Sequence, residues 1–311
     1  MAERIPVTVI GGYLGAGKTT LVNHLLRNAD GRRLAVLVND FGDLPIDADL
    51  IEAKGEDLIS IAGGCVCCSF GSDLMGALIK LAERTPAPDH VLLETSGVAL
   101  PGSVARSVAL IAAYSVDGVA VLVDAETVRA RAAERYMGDT ITRQLAEADL
   151  VVLNKTDLVD EAGRTSLREW LEKVASQARI VEALRSALPI DVLLGRREPV
   201  AGRLFDSGAI RAAPDAALVY ASVSLEVRSP VDAEKLARAL AGPACGLLRA
   251  KGVIRDRDGT LKTLHVVGSR TELTPYAGEN ATGIACIGLR NRLDRAAIER
   301  ALGEAATDIL G

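Results

Sequence analysis

Histidine and cysteine are scarce in this chain, at 3 and 5 of 311 residues. His24, His90 and His265 are scattered, so there is no histidine-rich metal tract, and each reads as an ordinary helix or strand residue. Five cysteines, an odd number, do not suggest a disulfide framework. In a reducing compartment clustered thiols bind metal or do redox chemistry instead. Lysine and arginine form no run long enough for a basic binding patch, and the formal net charge is −5. Both facts argue against nucleic acid or an anionic membrane as the main partner, since each selects a basic face. No segment carries the roughly 18 unbroken apolar residues of a membrane helix. The stretch MAERIPVTVIGG lacks the basic start, long apolar core and small-residue cleavage site of a secretion signal. A cytoplasmic location is expected. No repeat or low-complexity tract is evident.

Hydrophobic residues, by contrast, make up 49% of the chain, enough for a sizeable core in one large or two medium domains. Short runs recur: VTVI (7–10), LAVLV (34–38), VLLE (91–94), VAVLV (119–123) and LVVL (150–153). They are apolar at consecutive positions, as parallel strands covered on both faces are. Helical patterns such as TTLVNHLLRNA (19–29) and DTITRQLAEA (139–148) lie between them. This alternation predicts an α/β fold with a mainly parallel, doubly wound sheet. DLISIAGG (57–64) reads as a further strand. Residues 195–217 lose periodicity and collect glycine, proline and scattered charge. The expected boundaries are therefore a first domain over 1–195, a linker over 196–217 and a smaller C-terminal α+β domain over 218–311.

The loops after the strands carry the chemistry, because ligands of open parallel sheets sit at the carboxyl ends of the strands. After the first strand comes Gly12-Tyr13-Leu14-Gly15-Ala16-Gly17-Lys18-Thr19, a complete G-x-x-x-x-G-K-[ST] between strand and helix. Gly12, Gly15, Ala16 and Gly17 would curl the backbone N–H groups around phosphate oxygens, with Thr20 in the first helical turn. Lys18 would reach the β and γ phosphates, and the Thr19 hydroxyl would hold Mg²⁺. After the strand at 150–153 comes Asn154-Lys155-Thr156-Asp157. Guanine presents two donors on one edge, and one carboxylate, Asp157, can accept both. Adenine offers neither, so GTP is favoured over ATP. Asn154 would meet the N7 side, the stem of Lys155 would cover the ring, and Ser186-Ala187 is a further candidate contact with the base.

Acidic residues mark two more loops. Asp40 and Asp43 sit in NDFGD after the second strand, with Asp47 and Asp49 beyond, where a carboxylate can sense Mg²⁺ or simply solvate a loop. Glu94, at the end of a buried strand in Glu94-Thr95-Ser96-Gly97, would hold a water on Mg²⁺ or orient the attacking water. Gly97 would bring a backbone N–H to the γ-phosphate. Lys18, Glu94 and Asp40 are the catalytic candidates. No arginine finger or positioning glutamine stands out, so slow intrinsic turnover is expected. Three of the five cysteines, Cys65, Cys67 and Cys68, share one loop, GGCVCCSF. As soft thiolates they suit Zn²⁺, with Co²⁺ or Fe²⁺ as alternatives, and Asp43 or Asp40 would help complete the shell. Buried or redox-active thiols are the competing reading.

In order, GGYLGAGKTTLVNHLL, VNDFGDLPID, GGCVCC, LLETSGVALPG, LVDAE and LNKTDLV resemble the CobW-like metallochaperone GTPases, relatives of the HypB and UreG nickel-insertion proteins. LLRAKGVIRD (247–256) and GIACIGLRNRLDRAAIE resemble the C-terminal domain of that family. The resemblance implies a P-loop GTPase that binds a transition metal at Cys65, Cys67 and Cys68 and passes it to a client metalloprotein. It also implies phosphates and Mg²⁺ at Lys18 and Thr19, the Mg²⁺ water shell at Glu94, and guanine at Asn154 and Asp157. A GTP-dependent homodimer is a further expectation by analogy. Three features differ from the usual pattern: N-D-F-G-D stands where N-E-F-G-E is common, Val38 stands where some members carry an acid, and the histidine-rich stretch is missing. A redox-sensing GTPase with a vicinal disulfide and a P-loop small-molecule kinase are the alternatives.

Overall fold

A computed structural model describes residues 4–39, 58–61, 70–135, 137–195, 219–278 and 282–307. The chain forms two compact units, Ala2–Leu188 and Pro189–Gly311. Among the described residues the first unit holds a parallel sheet in the order β3-β2-β4-β1-β5-β6-β7. The strands are β1 (Ile5–Gly11), β2 (Leu34–Asn39), β3 (Leu58–Ile61), β4 (His90–Glu94), β5 (Tyr114–Asp124), β6 (Leu150–Asn154) and β7 (Arg179–Glu182). The helices between them are α1 (Lys18–Arg27), α2 (Phe70–Ala82), α3 (Pro101–Ala109), α4 (Val128–Ala132), α5 (Gly138–Ala146) and α6 (Glu161–Val174). All five residues of β4 and of β6 are buried, which explains their unbroken apolar runs: helices cover both faces.

Helix boundaries obey local chemistry. In α1 the buried residues Lys18, Leu21, Val22 and Leu25 repeat at helical spacing and form one face. Pro101 sits at the first position of α3, where its missing N–H costs nothing. Asp160 caps α6 by accepting from the Gly163 N–H at 2.8 Å.

Two elements depart from the sequence expectation. β7, RIVE, is too short and too charged to register as an apolar run, yet it closes the sheet beside β6. β5 begins at Tyr114, several residues before its apolar stretch, and its pairing with β1 shifts register between Val7 and Thr8. The extra residue of that bulge turns Asp117 inward, where Thr8 Oγ1 donates to it at 3.2 Å and lies 2.8 Å from His90 Nε2. This three-strand polar link is buried at the amino half of the sheet, away from the ligand edge.

The second unit begins with a short helix, α7 (Ile190–Leu194). Its antiparallel sheet runs β11-β10-β9-β12-β8. These strands are β8 (Tyr220–Glu226), β9 (Leu247–Arg255), β10 (Leu261–Val267), β11 (Arg270–Pro275) and β12 (Gly283–Leu289). Helices α8 (Ala233–Ala241) and α9 (Arg295–Thr307) complete it. Its core joins Leu236 and Leu240 of α8 and Ile298 of α9 to Ala250, Ile254, Leu264, Val266 and Ile284 of the sheet. The thiols of Cys245 and Cys286 are buried in that core, and burial pushes the Cys286 thiol far up, so it stays protonated. The residues of β11 are half-exposed and mixed in polarity, so no apolar run marks this strand in the sequence. Within α/β plus α+β, the fold class is as expected.

Tyr114, 1% exposed, anchors the start of β5 by donating to Leu78 O at 2.6 Å. Burial pushes its hydroxyl up to about 12 from 10.0. The folded state thus holds this proton more tightly than the unfolded one, so its contribution is full below pH 10.0 and is lost as pH rises toward about 12. Tyr114→Phe should cost about 1 kcal/mol at neutral pH. It should also flatten the alkaline fall in stability, as read from denaturant melts across pH 8–12.

Candidate functional site at the carboxyl edge of the sheet

β1 lies between β4 and β5, where the winding of the chain reverses, so a crevice opens at its end. Register brings the strand ends level: Ile10 pairs with Glu94 and Ala120, and Asp124 pairs with Asn154. Polar residues from four separated motifs therefore meet on one edge.

The phosphate loop leaves β1 at Gly12, whose φ of +130° leaves a Cβ no room against Leu122 O. It closes at Gly17, φ +102°, where a Cβ would fall 2.5 Å from Asn154 Nδ2 and 2.6 Å from Ser186 Oγ. At Gly15 a Cβ would meet nothing within 4 Å, which is the open front of the cradle. Among the described residues no side chain caps α1, and no acid lies in its first turn. Its N-terminal N–H groups therefore face an anion unopposed. Lys18, 7% exposed, donates from Nζ to Gly12 O at 3.0 Å, which folds the cation back over the loop. Thr19 Oγ1 donates to Glu94 Oε1 at 2.9 Å. Ala16 is buried and Thr20 is exposed on α1. These hydroxyl and carboxylate oxygens are hard donors of the kind Mg²⁺ selects.

The base-side residues also tie this edge together. Asn154, 2% exposed, donates from Nδ2 to Ala16 O at 2.9 Å and to Ser186 Oγ at 2.8 Å. Its Oδ1 accepts the Ser186 N–H at 2.8 Å. Ser186, read from sequence as a contact to the base, is fully buried, and its hydroxyl donates to Gly17 O at 3.0 Å. It thereby holds the phosphate loop. Arg185 and Ser186 adopt φ of +49° and +58°, a strained turn that this clamp sustains. Lys155, φ +60°, is drawn across by Asp124, with Nζ to Oδ2 at 2.7 Å. Asp157 is exposed at the edge.

Asp40, Asp43, Cys65, Cys67 and Cys68 lie outside the described residues, and with them the cysteine loop and the second acidic loop. Among the described residues no group of three or more His, Cys, Asp or Glu side chains is gathered as a metal cage. His24 and His90 make internal contacts, to Leu188 O and Thr8, and His265 lies 2.7 Å from the Arg249 guanidinium.

Sequence reading missed three supports of this edge. Asp124 is one. Arg131 of α4 stacks over the Tyr13 ring of the phosphate loop, 5.2 Å from its centroid, while the Tyr13 hydroxyl meets Met137 S. Gln144 of α5 is the third, reaching the loop after β4. The last was detectable in principle, since Gln144 falls on the buried stripe with Ile141 and Leu145.

A glycine-built cradle on a helix N-terminus at the switch point of a parallel sheet defines a P-loop nucleotide-binding protein. Residues 6–182 match the CobW/HypB/UreG nucleotide-binding domain, and residues 220–306 match the cobalamin synthesis protein cobW C-terminal domain. The chain belongs to the CobW/HypB/UreG family. It is 37% identical over 227 residues to the zinc chaperone CobW of Sinorhizobium sp, covering 62% of each chain. Against the zinc chaperone YjiA of Escherichia coli (strain K12) it is 30% identical over 269 residues, 80% of this chain and 81% of that one. Against the zinc-regulated GTPase metalloprotein activator 1 of Schizosaccharomyces pombe the identity is 32% over 190 residues, 58% of this chain and 46% of the other. The chain thus spans about three fifths of the length of the Sinorhizobium relative, 62%.

Asn154→Ala should strip three hydrogen bonds from the clamp and leave the Ser186 N–H buried without its acceptor. The expected loss is about 2–3 kcal/mol, since a buried orphaned group costs more than an average bond is worth. Thermal melts should report it, and saturating nucleotide should restore less of it than in the unmodified chain.

Proposed function

We propose that this chain is a GTP-hydrolysing metallochaperone of the cytoplasm, which carries a transition metal, zinc foremost, and delivers it to a client metalloprotein under control of its nucleotide. The observation that carries the reading is the Thr19–Glu94 contact at the mouth of the phosphate cradle. It joins the hydroxyl after the P-loop lysine to a carboxylate buried to 1% exposure, an arrangement with little structural purpose unless a hard cation and a polyphosphate come between them.

In this reading Gly12, Gly15, Ala16, Gly17 and Thr20 line the phosphate cradle, and Lys18 neutralises the β and γ phosphates. Thr19 and Glu94 hold Mg²⁺, directly and through its water shell; when bound, that ion offsets charge building on the leaving phosphate. Gly97 turns a backbone N–H toward the γ-phosphate. Asp157 accepts both guanine donors, Asn154 keeps the loop that bears it in register, and Lys155, held by Asp124, covers the ring. Asp40 reads the γ-phosphate from the second loop. Cys65, Cys67 and Cys68, with Asp43, hold the metal as cargo. Triphosphate and diphosphate states then present the thiolates in two arrangements, and the metal leaves in one of them. A GTP-dependent homodimer would close over the edge. The names of the relatives, zinc chaperones and a zinc-regulated GTPase activator, support the metal and the nucleotide in this reading.

Two measurements test it. Zinc-competition titrations in GTP analogue and in GDP should differ by roughly 5- to 150-fold, the usual range for coupled sites. Equal affinities sink the coupling, and a Cys67→Ser variant with unchanged zinc affinity sinks the site. For the base, Asp157→Asn should lose GTP by about 100-fold or more and gain xanthosine triphosphate, because an amide can donate to the xanthine oxygen that replaces the guanine amine. A variant that keeps its preference for GTP removes Asp157 from the base pocket.

A further inference from the structure

Gln144 is 1% exposed, on a helix that otherwise presents Ile141 and Leu145 to the core. A buried primary amide brings two N–H donors that must be satisfied. Both go to one short segment: Nε2 donates to Gly97 O at 3.1 Å and to Ala99 O at 2.7 Å. That segment is a turn closed by the Ala99 N–H to Ser96 O at 3.2 Å. It comes directly after Glu94.

The same turn is confined on two other sides. The Thr95 N–H donates to Ile10 O at 2.9 Å, which ties its start to β1. Gly97 lies against the phosphate loop so closely that a Cβ would fall 2.7 Å from Leu14 Cγ and 2.8 Å from Leu14 N. Of these restraints, only the Gln144 amide comes from a side chain outside both the turn and the phosphate loop. Its helix is next to that loop as well, through Met137 at the Tyr13 hydroxyl. The two peptides so held, Gly97–Val98 and Ala99–Leu100, are planar, so the directions of the Val98 and Leu100 N–H groups are fixed along with their carbonyls.

We propose that Gln144 is a positioning residue for the nucleotide reaction. By holding the carbonyls of Gly97 and Ala99 it pins the turn that bears Gly97 against Leu14 of the phosphate loop, and so sets how far this chain prefers a triphosphate over a diphosphate. The inference rests on the GTPase reading above and adds to it the residue that decides γ-phosphate discrimination. It supplies from α5 the glutamine that the motif segments lack, acting through the turn rather than on the attacking water.

The test uses the full chain with Gln144→Leu and Gln144→Glu. In the nucleotide-free protein, hydrogen exchange at the amides of 97–100 should speed up in Gln144→Leu while exchange in β1 and β4 stays as it was. The ratio of GTP-analogue to GDP affinity should fall about tenfold, with GDP affinity unchanged, and kcat should fall by a similar factor or more. Gln144→Glu keeps the length but donates only when protonated. Its kcat relative to the unmodified chain should therefore climb as pH is lowered from 8 to 5.5, with Asp124 and Arg131 the charged groups lining the same cavity. Variants that fold, exchange as the parent does and keep its affinity ratio and rate overturn the proposal. So does an equal loss of GDP and analogue binding, which marks a merely structural amide. If the unmodified chain binds no guanine nucleotide, the function proposed above fails and takes this inference with it; if it hydrolyses GTP and the variants match it, only this inference fails.

Discussion

The side-chain amide of Asn154 is the joint on which the ligand edge depends. It ties the end of β6 to Ala16 of the phosphate loop and to both the hydroxyl and the N–H of Ser186. Ser186 closes the circuit on Gly17 O. Three segments far apart in the chain are thereby locked by neutral hydrogen bonds in a buried, low-dielectric place, where such bonds hold more firmly than in water. A loop that turns N–H groups outward to await an anion is intrinsically unfavourable. It keeps that shape because its carbonyls are gripped from behind. The positive φ values at Lys155, Arg185 and Ser186 are the strain that this grip sustains.

The grip explains why glycine is needed at Gly17. Its φ suits glycine, but the crowding is the stronger constraint, since the two clamp atoms occupy the space of any Cβ. The electrostatics are a consequence of this geometry. With no acid in the first turn of α1, Lys18 folded over Gly12 O, and Glu94 set back against Thr19, the cradle favours an anion and the buried Glu94 carboxylate stands where a cation would bridge.

Much of this was legible in the sequence, for a physical reason: both motif and context are local. A strand of consecutive apolar residues, a glycine-spaced loop and an amphipathic helix are written within about thirty positions, and the parallel sheet arises from repetition of that unit. The supports were not legible. Ser186 stands out only as a candidate base contact until the fold carries it to Gly17, and Asp124 looks like a strand-end acid until it meets Lys155. Short polar strands such as β7 and β11 have no apolar period to betray them; they exist because a neighbouring edge offers hydrogen bonds. The residues hidden from a reading along the chain were those whose role depends on long-range contacts.

The two halves of the proposed chemistry also bear on each other through donor softness. The oxygens of Thr19 and Glu94 favour a small hard ion, while thiolates favour a soft one, and zinc outcompetes magnesium at most protein ligands taken singly. A chain that handles both must deny zinc the nucleotide site by geometry rather than by affinity. A hydroxyl and a carboxylate already hydrogen-bonded to each other 2.9 Å apart meet that need. They supply too few donors in too poor an array to fill a zinc tetrahedron unaided, whereas an ion that arrives with phosphate oxygens and its own waters needs little more. On this view the nucleotide brings most of its metal's coordination with it, and selectivity between the two cations comes from how little the protein itself contributes at the cradle.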